Sequence, residues 1–179
     1  MLSFHGIINC IRPSLNLRHR NIASHLQFQT NFLKAAMFAS DDAVGETNLS
    51  VLLKSMRPHL NDGEYVFTTL RMDDFVKLSI PRSDTICEFQ EAEGITLVME
   101  RQKASHFALK FESIFAWITL EIHSSLDAVG LTAAFSNELA KEGISCNVIA
   151  GYYHDHIFVG VKDGQKSIQV LEGLAAKQP

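Results

Sequence analysis

The sequence predicts an α+β fold of two ferredoxin-like βαββαβ units with antiparallel sheets, the first of them reduced. Three observations carry this. The run 116–161 reads as strand, helix and hairpin in succession, the front three-quarters of such a unit. A strand, a hairpin and a short helix follow one another between residues 64 and 107, as the strand, the hairpin and the last helix do after residue 116. The 179 residues, 46% of them hydrophobic, suffice to bury one good core or two small ones.

Residues 1–40 stand apart from both units. They carry Arg12, Arg18, Arg20 and Lys34 but no Asp or Glu, in a chain that holds 20 acidic residues. With Ser3, Ser14 and Ser24 and a broken apolar pattern, this is the composition of an organellar transit peptide, so a mitochondrial location is expected, with a cytoplasmic one as the alternative. A disordered tail, or a true start at Met37, is the plainer reading. The apolar runs are too short to span a membrane. Beyond residue 40, 12 basic residues face 20 acidic ones, a net charge of −8 that argues against nucleic acid or an anionic membrane as partner. Cys10, Cys87 and Cys146 form no CxxC, which points to free thiols rather than a disulfide framework or structural zinc.

The ordered body is expected to begin near Thr47, with one unit over 47–112 and a second over 113–179. Leu49, Leu52, Leu53 and Met56 fall on one helical stripe, and Pro58 follows its end. Asn61-Asp62-Gly63 is a turn, and 64–70, rich in Tyr, Val, Phe and Thr, is a strand. Residues 71–84 show no clear period and read mostly as loop, with the unit's opening helix much reduced there. A hairpin over 86–90 and 95–99 turns about Glu93-Gly94, and a short helix spans 101–107.

In the second unit a strand over 116–123 points Ile118, Leu120 and Ile122 to one face, and Trp117, Thr119, Glu121 and His123 to the other. Ser124-Ser125-Leu126-Asp127 fits a capping box for a helix over 127–142. Leu131, Phe135 and Leu139 stripe that helix, and Gly143 stands where a left-handed cap is favoured. A hairpin over 144–161 turns through Gly151-Tyr152-Tyr153-His154-Asp155-His156, with Ile157, Val159 and Val161 towards the helices. A last helix opens at Asp163 with Ile168, Leu171, Leu174 and Ala175 inward. Cys87-Glu88-Phe89 with Thr96-Leu97-Val98 parallels Cys146-Asn147-Val148 with Ile157-Phe158-Val159, which suggests duplication.

Polar residues gather at one sheet edge, where the end of the first strand meets the hairpin turn: His123, Ser124 and Ser125 from one side, Tyr152 to His156 from the other. Antiparallel pairing is expected to place His123 near His156. A helix start beside them offers free backbone N–H groups that suit a carboxylate, the serines can donate, and Asp155 could hold an ammonium group.

The segments Glu88-Phe89-Gln90-Glu91-Ala92-Glu93-Gly94-Ile95-Thr96-Leu97-Val98 and Trp117-Ile118-Thr119-Leu120, with Gly143 through Val159, resemble the two domains of tandem ACT-domain proteins. The nearest group is small, stand-alone bacterial ACT-like proteins, with the CASTOR arginine sensors more distant. This chain has two domains where those sensors have four, so their arginine specificity does not carry over. The resemblance implies a non-catalytic regulatory protein that binds a small molecule, an amino acid above all, acting as a homodimer or through a regulated partner protein. Ligand contacts in the family come from the loop and first helical turn, here Ser124, Ser125, Val129, Gly130, Leu131 and Thr132.

Each candidate also has a plainer structural use. Ser124 and Ser125 suit caps, Gly130 close packing, Asp155 a turn, and Tyr152 and Tyr153 an interface or core. Two other functions stay open: a module that only assembles or regulates a partner, and a hydrolase or isomerase with a metal on His123, His154 and His156. The sequence holds no Gly-rich phosphate loop, HExxH or nucleophile–base signature, so no cofactor is expected.

Overall fold

The computed structural model describes residues 45–178, so the expected leader lies outside the described residues. Among the described residues seven strands form one antiparallel sheet in the order β3-β4-β2-β5-β7-β6, with β1 pairing further along the same flank of β5 that β2 meets. The elements in chain order are α1 (Leu49–Ser55), β1 (Pro58–Leu60), β2 (Tyr65–Leu70), α2 (Met72–Leu78), β3 (Cys87–Gln90), β4 (Ile95–Glu100), α3 (Arg101–His106), β5 (Phe115–Leu120), α4 (Leu131–Lys141), β6 (Cys146–Ala150), β7 (Asp155–Gly160) and α5 (Gly164–Ala176).

Period-two alternation sorts the strand side chains onto two faces. On the helix-covered face of the second half, Ile118, Leu120, Ile157 and Val159 pack against Phe135 and Leu139 of α4 and Leu171 and Leu174 of α5. In the first half Val66, Ile95, Leu97 and Met99 pack with Ala104 of α3 and Phe75 of α2. No helix of the described residues packs on the opposite face. There Tyr65, Phe67, Phe115, Trp117 and Phe158 build an aromatic layer with Val98 and Ile149. Residues from β3 and β6, the two ends of the strand order, line one cavity of about 410 Å³ on that face. Strands so far apart in a sheet share a cavity only if the sheet curls strongly.

Residues 49–60, which the sequence groups with the first unit, complete the second. Asn48 caps α1, its Oδ1 accepting from the backbone N–H of Ser50 at 3.0 Å and of Val51 at 3.3 Å. Leu52, Leu53 and Met56 then bury themselves in the core of α4 and α5. Pro58, His59 and Leu60 pair with Leu120, Thr119 and Ile118. β1 thereby fills the place that a strand after α5 would take in a βαββαβ unit. Three residues are too short a run to announce a strand, and Pro58 is tolerated because it opens one.

Among the described residues the first half has no fourth strand. Residues 107–114 run irregularly, Leu109, Phe111 and Ile114 entering its core, and Thr68 Oγ1 donates to the Lys110 carbonyl at 2.8 Å. Three other expectations are corrected. Residues 71–84, read mostly as loop, hold the seven residues of α2 and a 3₁₀ turn at Arg82–Asp84, so the reduced opening helix is more regular than its lack of period suggests. The strand expected to reach His123 ends at Leu120, where Ile122 N–H turns back to Leu120 O at 2.8 Å. Val161 does not face the helices: it is exposed in a 3₁₀ turn at Val161–Asp163.

Candidate functional site

The end of β5 and the β6–β7 turn do meet. The His123 ring lies 5.5 Å from Tyr153 and 6.5 Å from Tyr152, centroid to centroid, and the two tyrosine rings meet edge to face at 5.0 Å. Ser124 and Ser125 follow, tied down by the chain's own upstream segment. Glu46 N–H donates to His123 O at 3.1 Å, and Ser125 N–H donates to Glu46 O at 2.9 Å. Gly45 lies so close that a Cβ there would stand 2.3 Å from the Ser125 nitrogen, a fit that only glycine allows.

The expected capping box does not form. Ser125 Oγ accepts from Asp127 N–H at 3.2 Å and closes a turn, while α4 starts at Leu131 rather than Asp127. The residue before it, Gly130, adopts φ 97°, and no side chain caps the 11-residue helix. Its first-turn N–H groups, those of Leu131 and Thr132 included, are therefore left to solvent or a ligand. Leu131 itself is buried, while Val129 stands 85% exposed beside it.

Asp155 pairs with Leu120, the last residue of β5. It alternates with Ile157 and Val159, so it faces the helix layer at 6% exposure. Burial raises its pKa above the ordinary carboxylate value, against a smaller opposing pull from His154. His156 faces the other way and pairs with Thr119, four residues before His123, which corrects the expected His123–His156 neighbourhood. Among the described residues no three His, Cys, Asp or Glu side chains form a group that could hold a metal, so the three histidines of the hydrolase reading do not assemble.

His156 instead anchors a polar chain on the aromatic face. Trp117 Nε1 donates to His156 Nδ1 at 3.2 Å, Thr119 Oγ1 lies 3.3 Å from the same nitrogen, and Asn61 Nδ2 donates to Thr119 Oγ1 at 2.9 Å. Nδ1 must accept from Trp117, so the neutral ring is the fitting one. Burial, with a smaller contribution from His154, lowers the His156 pKa. Both folded and unfolded chains are neutral here above about pH 6.5; below that the unfolded chain takes the proton first. Stability is thus expected to fall as pH drops through about 6.5, levelling off below the lowered folded value, and His156→Gln is expected to remove that slope. Urea unfolding between pH 7.5 and 5, followed by the fluorescence of Trp117, the chain's one tryptophan, checks it.

Two ACT-domain families match the chain, one over residues 44–116 and the other over 112–173. The chain belongs to the ACT-domain family. ACT domains are regulatory, small-molecule-binding modules, and this chain carries two. A Vibrio cholerae protein of unknown function, described as a possible transport protein, is 48% identical, with 71% of this chain and 95% of that one covered and a TM-score of 0.61. A protein from Agobacterium tumefaciens is 16% identical over 67% of this chain and 89% of that one, with a TM-score of 0.51. The aspartate kinase of Clostridium acetobutylicum, an allosteric enzyme, is 9% identical over 66% of this chain and 34% of that one, with a TM-score of 0.50. These last two likenesses concern the fold alone. No curated protein matches the chain.

The first ACT unit has its own version of the same edge. The end of β2 and the β3–β4 turn border a cavity of about 280 Å³ lined by Arg71, Asp73, Glu91 and Glu93. Gly94 permits the close approach, since a Cβ there would stand 2.3 Å from Leu70 O. Reading 71–84 as loop hides these residues; the internal repeat is the signal that points to them.

Proposed function

We propose that this ACT protein is a sensor without catalytic activity, responding to a small molecule, an amino acid in the first instance, and passing the signal to a second copy or a regulated partner. The observation that carries the reading is the uncapped start of α4, reached through the loop that follows His123, together with the exposed Tyr152 and Tyr153 rings against His123. A ligand carboxylate would take the N–H groups of Leu131 and Thr132 across Gly130, with Ser124, Ser125 and Val129 on the rim and Tyr152 over the side chain. Asp155 would act from beneath as a buried carboxyl rather than as a direct partner for the ammonium group. The cavities of about 280 and 410 Å³ are lined by other residues, so this site is a shallow surface that a second molecule would deepen.

A thermal-shift screen of the amino acids tests this. A ligand at about 100 times its Kd is expected to add about 2.7 kcal/mol of stability, several degrees of melting temperature for a domain of this size. The Ser124→Ala, Gly130→Leu double variant is expected to lose that response. A side chain at residue 130 is strained at φ 97° and would meet Leu49 Cδ2 at 3.1 Å, so Thr132→Glu, at an exposed position, probes the same surface without strain. Binding that survives all three changes rules the surface out.

A module that only assembles a partner is the second reading, and one observation favours it. Leu126, Val129, Tyr152 and Tyr153 are all more than half exposed at this edge, more apolar surface than a sheet end needs. No stabilisation by any amino acid, together with a concentration-dependent dimer lost in Tyr153→Lys, would favour it.

A further inference from the structure

Among the described residues the first ACT unit has no fourth strand, and the space that strand would occupy has a distinct chemistry. β2 pairs with β5 only at Tyr65 opposite Phe115; beyond that point the two strands diverge. The wedge between β2 and residues 109–115 is a cavity of about 980 Å³, within the range of small-molecule sites. Its apolar wall is Phe67 against Phe115, rings edge to face at 5.3 Å, and Thr69 and Ser113 add hydroxyls.

The charged groups of the wedge come from one segment. Leu109 and Phe111 pack into the core, while Lys110 and Glu112 are exposed and both border the cavity. Thr68 fixes this arrangement through its bond to the Lys110 carbonyl. Among the described residues neither the Lys110 ammonium nor the Glu112 carboxylate makes an ion pair or hydrogen bond. One cation and one anion on a single rim, above an aromatic wall, match the two ends and the side chain of a free amino acid.

We propose that this wedge is a second ligand site, taking a zwitterionic amino acid with an apolar, preferably aromatic, side chain: carboxylate on Lys110, ammonium on Glu112, side chain against Phe67 and Phe115. It rests on the amino-acid-sensor reading for the class of ligand only, and lies away from the α4 edge. The segment runs straight into Phe115, the first residue of β5 and the point where β2 meets the second unit. A ligand held there bridges the seam between the two ACT units, which gives binding a route to their relative packing.

The test measures binding to the full chain by calorimetry and thermal shift, with L-phenylalanine, 2-phenylethylamine and 3-phenylpropanoate as probes. L-phenylalanine is expected to bind, and each analogue, lacking one charged end, to bind at least about tenfold more weakly. Lys110→Met and Glu112→Gln, both at exposed positions, are each expected to weaken L-phenylalanine about 10- to 100-fold while leaving the unliganded melting temperature in place. Lys110 is also expected to be protected by L-phenylalanine from acetylation, read by mass spectrometry against the other lysines. Unchanged affinity in both variants, or binding that only the Thr132→Glu variant abolishes, overturns this site and leaves the α4 edge standing. Stabilisation by polar amino acids but not by L-phenylalanine does the same. If no amino acid binds at all, both readings fall together.

Discussion

A fragment spanning residues 113–179, the second unit as the sequence delimits it, is expected not to fold, whereas one spanning 45–179 is expected to melt cooperatively. The missing part is α1 with β1. Leu52, Leu53 and Met56 are buried against α4 and α5 at 0%, 5% and 1% exposure. Burying three such side chains contributes roughly 5 to 9 kcal/mol in all, comparable with the entire stability of a typical domain, roughly 5 to 15 kcal/mol. Removing β1 also exposes the flank of β5 from Ile118 to Leu120. Circular dichroism and urea melts of the two fragments decide it, and a peptide covering 45–63 added to the shorter fragment is expected to restore folding. A 113–179 fragment that melts cooperatively by itself would show that the upstream segment is dispensable.

Phe158→Ala is expected to destabilise the chain by about 3 to 5 kcal/mol, the usual cost of emptying a buried aromatic position. The ring is fully buried although no helix of the described residues covers its face. Phe67 meets it edge to face at 5.2 Å, Tyr65 at 6.3 Å, and Trp117 stacks on it at 6.1 Å. Because Phe67 and Tyr65 belong to the first half and Trp117 and Phe158 to the second, this layer joins the two units. Loss of the ring should also shift Trp117 emission to the red. Phe89→Ala is the control: that ring is 65% exposed, and its removal is expected to cost within about 0.5 kcal/mol. Urea midpoints of the two variants check the contrast; equal costs would mean that the aromatic layer does not hold the halves together.

The candidate site was legible in part. Placing His123 beside Tyr152 needed only strand, helix and hairpin in the right order, because topology puts a strand end and the facing turn at one edge. Placing His123 beside His156 needed the register, and a shift of four residues puts Thr119 there instead. Likewise Ser124-Ser125-Leu126-Asp127 satisfies the capping pattern, yet the backbone turns at Ser125 and the helix waits for Gly130. A capping pattern states which side chains can bond the backbone and leaves open which backbone N–H is in reach. Lys110 and Glu112 carry no motif; they matter only because β2 and β5 diverge.

By itself the sequence determined what is local: the α+β class, the helical stripe of Leu131, Phe135 and Leu139, the left-handed Gly143 after α4 at φ 71°, and the alternation that separates Ile118 and Leu120 from Trp117 and Thr119. These follow from periods of 3.6 and 2 and from backbone preferences, which neighbouring residues carry within themselves. Tertiary structure decided which unit owns α1 and β1, which strands face each other across the aromatic layer, and which residues 109–114 leave outside the sheet. Those outcomes depend on contacts between residues about 60 apart, such as Pro58 with Leu120, where several partners could satisfy the same hydrophobic stripe and only the competition among whole packings selects one.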